Sequence, residues 1–327
     1  MDAIRTSPTP LRGRHRQAVG DRGFRWGLIG ASALVLVVLA LMIGSTTLRA
    51  LPVFIHEGPW QFLTGTTWDP GTSRTEITGT YQAGVFLYGT LMTSAIAIVL
   101  AVPVSIGIGL FLTNIASRRL ARPLIYMVEL LAAVPSVIYG LWGLHFFAPV
   151  ILKPAAKLVS SDLGWIPIFS GPVVAFNFAF AGIVLAIMII PIISAIVREV
   201  FSAVPDSERY AAYAMGATRW EVMRSVVLPR SRAGIIGATM LGLGRALGET
   251  IAVALLIGGG TTINTSIFAQ GESIAAKIVN TFQESTPEGI SALIALGVTL
   301  FAMTIIINIA ARLLVYRLGT VSDEAAA

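Results

Sequence analysis

Three ionisable residues stand inside apolar runs of this chain: Glu129 in ELLAAVPSVIYGLWGL, and Arg245 and Glu249 in GRALGETIAVALLIGGG. A charge at the centre of a membrane helix costs roughly 2.5–3.5 kcal/mol on insertion scales, so such residues are kept for function or for mutual pairing. Arginine suits an oxyanion, because its planar fork donates paired hydrogen bonds and keeps its charge. Glu249 follows Arg245 by four residues, which puts both on one face of an uninterrupted helix. Two readings fit. One is a polar path for an anion, with Arg245 as its cation and Glu249 and Glu129 beside it. The other is an ion-pair cluster that locks helices together. Gly242, Gly244 and Gly248 surround the charges and allow close helix approach.

Other chemistry is excluded by what is missing. No G-x-x-x-x-G-K-[ST] occurs, and none of Lys153, Lys157 and Lys277 follows a glycine, so the chain has no phosphate cradle for ATP. His15, His56 and His145 lie far apart and form no metal-ligand spacing. No nucleophile motif is assembled, and cysteine is absent. The expectation is a protein that is not an enzyme, with no cofactor or metal of its own.

The elements that position the three charges are membrane spans. The chain has 327 residues, 55% of them hydrophobic and 12% charged, with a mean hydropathy of +0.79. That is about half the usual charge of a soluble domain. The expected fold is all-α, a polytopic helix bundle of about six transmembrane helices. The spans are placed at 26–48, 84–112, 124–150, 173–197, 233–257 and 290–315, within a six-span transmembrane domain at 26–317. A disordered basic tail at 1–25 precedes them and a short tail at 318–327 follows. The segments 44–83, 153–171 and 258–289 read as external, the last with a short amphipathic helix at 272–283. Seventeen cations fall in the segments on one side of the spans, five on the other, and Arg245 within a span. The positive-inside rule then puts both termini in the cytoplasm of a cell whose plasma or inner membrane holds the chain. The net charge of +6 belongs to this pattern. No nucleic acid is expected as a partner, since zinc-finger and RNA-binding motifs are absent.

Between the fourth and fifth spans lies a polar, arginine-rich loop at 206–229. Pro205-Asp206-Ser207-Glu208 reads as a helix start. Gly216 permits a turn between two short helices. Tyr213, Trp220, Val222, Met223 and Val226 offer an apolar side, and Arg219, Glu221 and Arg224 a polar one. Such a wedge fits a groove on a soluble partner. On pattern alone it also fits a connector lying on lipid.

The spacing carries a resemblance. Ala211-Ala212, three residues, Gly216, nine residues, then Val226-Val227-Leu228-Pro229 resembles the E-A-A loop of ABC importer permeases. Tyr210 stands where that family usually has Glu. YQAGVFLYGTLMTSAIAIVLAVPVSIGIGLFLT at 81–113, ELLAAVPSVIYGLWGL at 129–144, GRALGETIAVALLIGGG at 244–260 and Trp68-Asp69-Pro70 are similar to the phosphate importer permeases of that family. The long external loop and basic tail resemble their C-type (PstC-like) subunit. The similarity runs from about Trp60 to Tyr316. It implies a type I ABC importer permease fold in the binding-protein-dependent transport family. It also implies a second, A-type permease subunit, a cytoplasmic ATPase dimer that holds ATP-Mg, and an external phosphate-binding protein. Under it Arg245, Glu249 and Glu129 line the substrate path. Ala211, Ala212, Gly216, Ala217, Val226, Leu228 and Pro229 form the ATPase coupling loop. The rivals are a permease for another oxyanion, such as sulfate or molybdate, and an ion-coupled secondary transporter with Glu129 and Glu249 as proton sites.

Overall fold

The computed structural model describes residues 14–70 and 79–324, with side chains over 23–70 and 79–313. The chain divides into two units, Met1–Arg49 and Ala50–Ala327. Most of the first helix, α1 (Arg14–Glu57), makes up the first unit. Residues 14–25, expected as disordered tail, are its first turns. Arginine, glutamine and alanine are good helix formers, and they extend a helix that the apolar run already nucleates. The remainder of that tail, 1–13, lies outside the described residues. The helix also outruns the expected end at 48 and stops at Gly58, whose φ of 77° no helix can continue.

In the second unit α2 (Pro59–Thr64) is followed by a short antiparallel pair, β1 (Trp68–Asp69) with β2 (Thr80–Tyr81). Then α3 (Gly84–Leu110) runs as one span into a π turn at Phe111–Ile115. The third span departs from expectation. The expected stretch divides into α4 (Arg118–Ala133) and, after a break, α5 (Ser136–Trp142), which continues through Gly143–Leu152 into α6 (Lys153–Leu163). Pro135 lacks an N–H and forces Val134 out of the helical region, to ψ 128°. The stretch long and apolar enough to cross a membrane is therefore Ser136–Leu163, and the expected external loop at 153–171 is helical as far as Leu163.

The fourth span is α7 (Phe178–Ser202), started by Asn177, whose side chain accepts from the Phe180 N–H. The loop helices α8 (Asp206–Ala214), α9 (Arg219–Val222) and α10 (Leu228–Arg230) lead into α11 (Arg232–Leu247). The fifth span is not continuous either. Between α11 and α12 (Ile251–Ile257) the axis turns by 64°. After α13 (Ile274–Thr281), α14 (Pro287–Glu324) forms the sixth span and continues through most of the expected C-terminal tail. Among the described residues five stretches qualify as spans, and the bent α11–α12 pair makes a sixth.

Helix α7 is the axis of the bundle, with Ile189, Ile193, Val197 and Phe201 fully buried. Its neighbours reach it through glycines. A Cβ on Gly182 would lie 2.6 Å from Ile96 of α3, and one on Gly242 of α11 would lie 2.5 Å from Ile193. Lipid gives helices no hydrophobic reason to associate, so this close packing supplies the attraction. A second apolar core joins Phe62, Tyr81 and Phe86 to Ile274, Leu293 and Leu296. Into it runs the segment 271–277, every residue of which is buried. There Lys277 lies 3.6 Å from Glu272 and over the rings of Trp68 and Phe86.

Candidate functional site

The break in the fifth span explains how two charges survive there. Arg245 lies in the last turn of α11, where the free carbonyls favour a cation. Glu249 lies just before α12, and its Oε1 accepts from the Ala252 N–H at 3.3 Å. Each charge thus sits at the helix end that stabilises it. The expected shared face does not form, because Gly248 and the 64° turn intervene. Among the described residues no carboxylate lies within 4.0 Å of Arg245. Its guanidinium is exposed, whereas Glu249 is buried at 9% exposure.

Glu129 is elsewhere than expected. It falls on α4, ahead of the Pro135 break, and its Oε1 lies 3.4 Å from Arg198 Nη2 near the end of α7. Its side chain is 49% exposed. It pins α4 to α7 and is not brought into a pair with Arg245. Sequence reasoning missed Tyr139 of α5, a buried residue whose hydroxyl donates to the Leu131 carbonyl at 2.8 Å, across the Pro135 break. The available signal was a lone phenol four residues after the proline that breaks the span.

The 206–229 loop folds as its residues dictate. Helix α8 begins after Pro205 with Asp206 and Glu208 in its first turn. Gly216 takes φ 86° and its N–H bonds the Tyr213 carbonyl, while the Ala217 N–H bonds Ala212, closing the helix end. A capping box then starts α9. Thr218 Oγ1 accepts from the Glu221 N–H, and Glu221 Oε2 accepts from the Thr218 N–H at 2.7 Å. The Thr218 N–H and hydroxyl, both donating to Glu221 Oε2, hold that carboxyl below its usual range. Arg230 Nε lies 3.7 Å from Glu208, bridging the two arms, and Arg209 donates to the Phe201 carbonyl at the end of α7.

The expected single apolar side is divided in two. Val222, Met223 and Val227 turn into the chain's own core, with Ala212 buried beside them. Val226, Leu228, Pro229 and Ala217 are half-buried. Tyr210, Tyr213, Met215 and Trp220 stay exposed, Met215 at 85%. With Ala211 and Gly216, they form an apolar surface on short, tightly capped helices. Tyr210, where the resembled loop has Glu, is part of that surface, and Glu208 is engaged by Arg230.

A family model, the binding-protein-dependent transport system inner membrane component, matches residues 105–320. The phosphate transport system permease protein PstC of Xylella fastidiosa (strain 9a5c) is 42% identical over 93% of this chain and 93% of its own. That of Mesorhizobium japonicum is 42% identical over 93% of this chain and 92% of its own. A permease chain from the crystal structure of a bacterial ABC transporter involved in alginate import superposes with a TM-score of 0.60 at 15% identity. It covers 92% of this chain and 99% of that one. The fold is the type I ABC importer permease fold, with a broken fifth span and a capped loop ahead of it. The chain belongs to the binding-protein-dependent transport system inner membrane component family.

Proposed function

We propose that this chain is the C-type permease subunit of an ATP-driven phosphate importer. It shares the path with a second, A-type permease and is moved by a cytoplasmic ATPase dimer that holds ATP-Mg. Phosphate arrives from an external binding protein. Both termini lie in the cytoplasm, with the bundle crossing the plasma or inner membrane. The observation that carries the reading is Arg245, an exposed guanidinium beside the break of a span with no carboxylate within 4.0 Å among the described residues. A phosphate anion crossing a region of low dielectric needs compensation by a positive charge, and an unneutralised planar fork supplies it. Glu249, held by α12, sets a negative limit near the same break, so that the anion is bound weakly enough to leave. Ala211, Ala212, Gly216, Ala217, Val226, Leu228 and Pro229 build the coupling loop, and its exposed aromatic face meets the ATPases. When the ATPases close, the loop is displaced and the spans rock toward the external side.

The test is Arg245→Gln. Radiolabelled phosphate uptake by this variant is expected to be abolished while the detergent-extracted yield of complex holds. Arg245→Lys is expected to be strongly impaired, because a point charge replaces the fork. Near-normal uptake by a well-assembled Arg245→Gln complex would remove Arg245 from the path.

A further inference from the structure

The span that begins with α5 has one face that the chain's own bundle uses and one that it leaves open. The used face makes its approach through glycines. A Cβ on Gly140 would lie 2.9 Å from the Ala252 Cα of α12, and one on Gly143 would lie 3.0 Å from Val184 of α7. The open face carries Ile138, Leu141, Trp142 and His145, which follow at three- and four-residue spacing and are all exposed.

His145 is the odd member of that face. It stands nine residues after Ser136 and eight before Lys153, and no Asp, Glu, Lys or Arg falls between those two. Roughly 12 Å of helix separates it from either end of the apolar run, deep within a hydrocarbon layer about 30 Å thick. Among the described residues its side chain has no hydrogen-bond or ion-pair partner. Lipid tails offer neither donor nor acceptor, so an imidazole facing them leaves both ring nitrogens bare at a cost in free energy. Ionisable side chains within spans accordingly face protein or a water-filled cavity. A neighbouring membrane helix suits all four residues. It packs against Ile138, Leu141 and Trp142, and a polar side chain on it satisfies the imidazole. The open face also belongs to a half-helix that adjoins the proposed path: α5 meets α12 at Ala252, and the exposed Arg245 lies just ahead of α12.

We propose that this face is the seat of the second permease subunit, and that His145 hydrogen-bonds a side chain on one of that subunit's spans. The inference rests on the reading of this chain as one of two permeases, and adds the surface by which they join.

The test uses the complex co-expressed with its partner subunits. With His145 intact, Leu141 is replaced by the photoreactive benzoylphenylalanine and membranes are irradiated before extraction. The expected product is this chain joined to the second permease, identified by mass spectrometry. Adducts with lipid alone, with a second copy of this chain or with an ATPase overturn the proposal. The hydrogen bond is read from the second permease retained per copy of this chain after a stringent detergent wash. His145→Leu is expected to lower retention about fivefold, the effect of losing roughly one hydrogen bond. His145→Gln is expected to recover most of it. Equal or better retention in His145→Leu, the outcome for a position that faces lipid, overturns the proposal. The underlying reading fails on its own terms when the wild-type complex contains no second permease chain.

Discussion

At the scale of single residues, burial and partner decide what each charge can do. Glu272 gives the clearest pH consequence. It lies outside the spans and is 4% exposed, and desolvation raises its carboxyl above the usual range despite Lys277 and Asn280, which pull the other way. A folded pKa above the unfolded one means that the folded segment holds more protons between the two values. Its stability is therefore greatest below the unfolded pKa and is lost as pH rises through the folded one. Amide exchange over α13, corrected for its intrinsic pH dependence, is expected to slow as pH falls toward the ordinary glutamate range. Glu272→Gln is expected to remove that dependence. An equal pH response in both proteins would show that the titrating group is another. Arg245, Glu249 and Glu129 were legible in the sequence as charges in apolar runs. Their partners were not, because spacing by four residues assumes a helix without a break, and because Glu129 finds Arg198 from a distant span. Tyr139 was illegible for a plainer reason: a tyrosine in an apolar helix is ordinary until its hydroxyl has a partner.

Among the elements, the 206–229 loop shows most directly what a sequence specifies. Its start, its glycine turn and its arms follow from Pro205, Gly216 and the Thr218–Glu221 box. Its faces were drawn on a 3.6-residue period, and a π turn at Met223–Val227 shifts that period partway along. Val227 at its end packs inward with Val222 and Met223, whereas Tyr213 and Trp220 of the expected apolar side stay exposed. The span breaks have the same character. Pro135 and Gly248 are visible in the sequence, but neither the 64° turn nor the close approach of α12 to Gly140 of α5 is. Gly216 at φ 86° is the joint between the loop's arms. Proline fixes φ near −65° and cannot adopt that value. Gly216→Pro is expected to leave the complex assembled but to abolish stimulation of its ATPase by loaded binding protein. Gly216→Ala is expected to lose less, since alanine in the left-handed region costs about 1–2 kcal/mol. Full stimulation in the proline variant would separate this loop from coupling.

For the whole molecule, the orientation proposed from the distribution of cations is directly measurable, because cysteine is absent. Gln270, Ser117 and Ser225 are exposed. Gln270→Cys is expected to react with a membrane-impermeant thiol reagent applied to intact cells. Ser117→Cys and Ser225→Cys are expected to react only after permeabilisation. The reverse pattern would turn the protein over in the membrane. The break in the fifth span and the one just ahead of Ser136 also bear on how such a bundle changes shape. An unbroken helix resists bending with a ladder of main-chain hydrogen bonds, and a swing in mid-membrane would tear several of them with no water at hand to replace them. Here the ladder is already cut at 134–135 and 248–250, with Tyr139 and Glu249 serving some of the cut ends. The bundle is therefore already jointed, and a displacement at the 206–229 loop could pivot a half-helix at the fifth-span break without melting a turn.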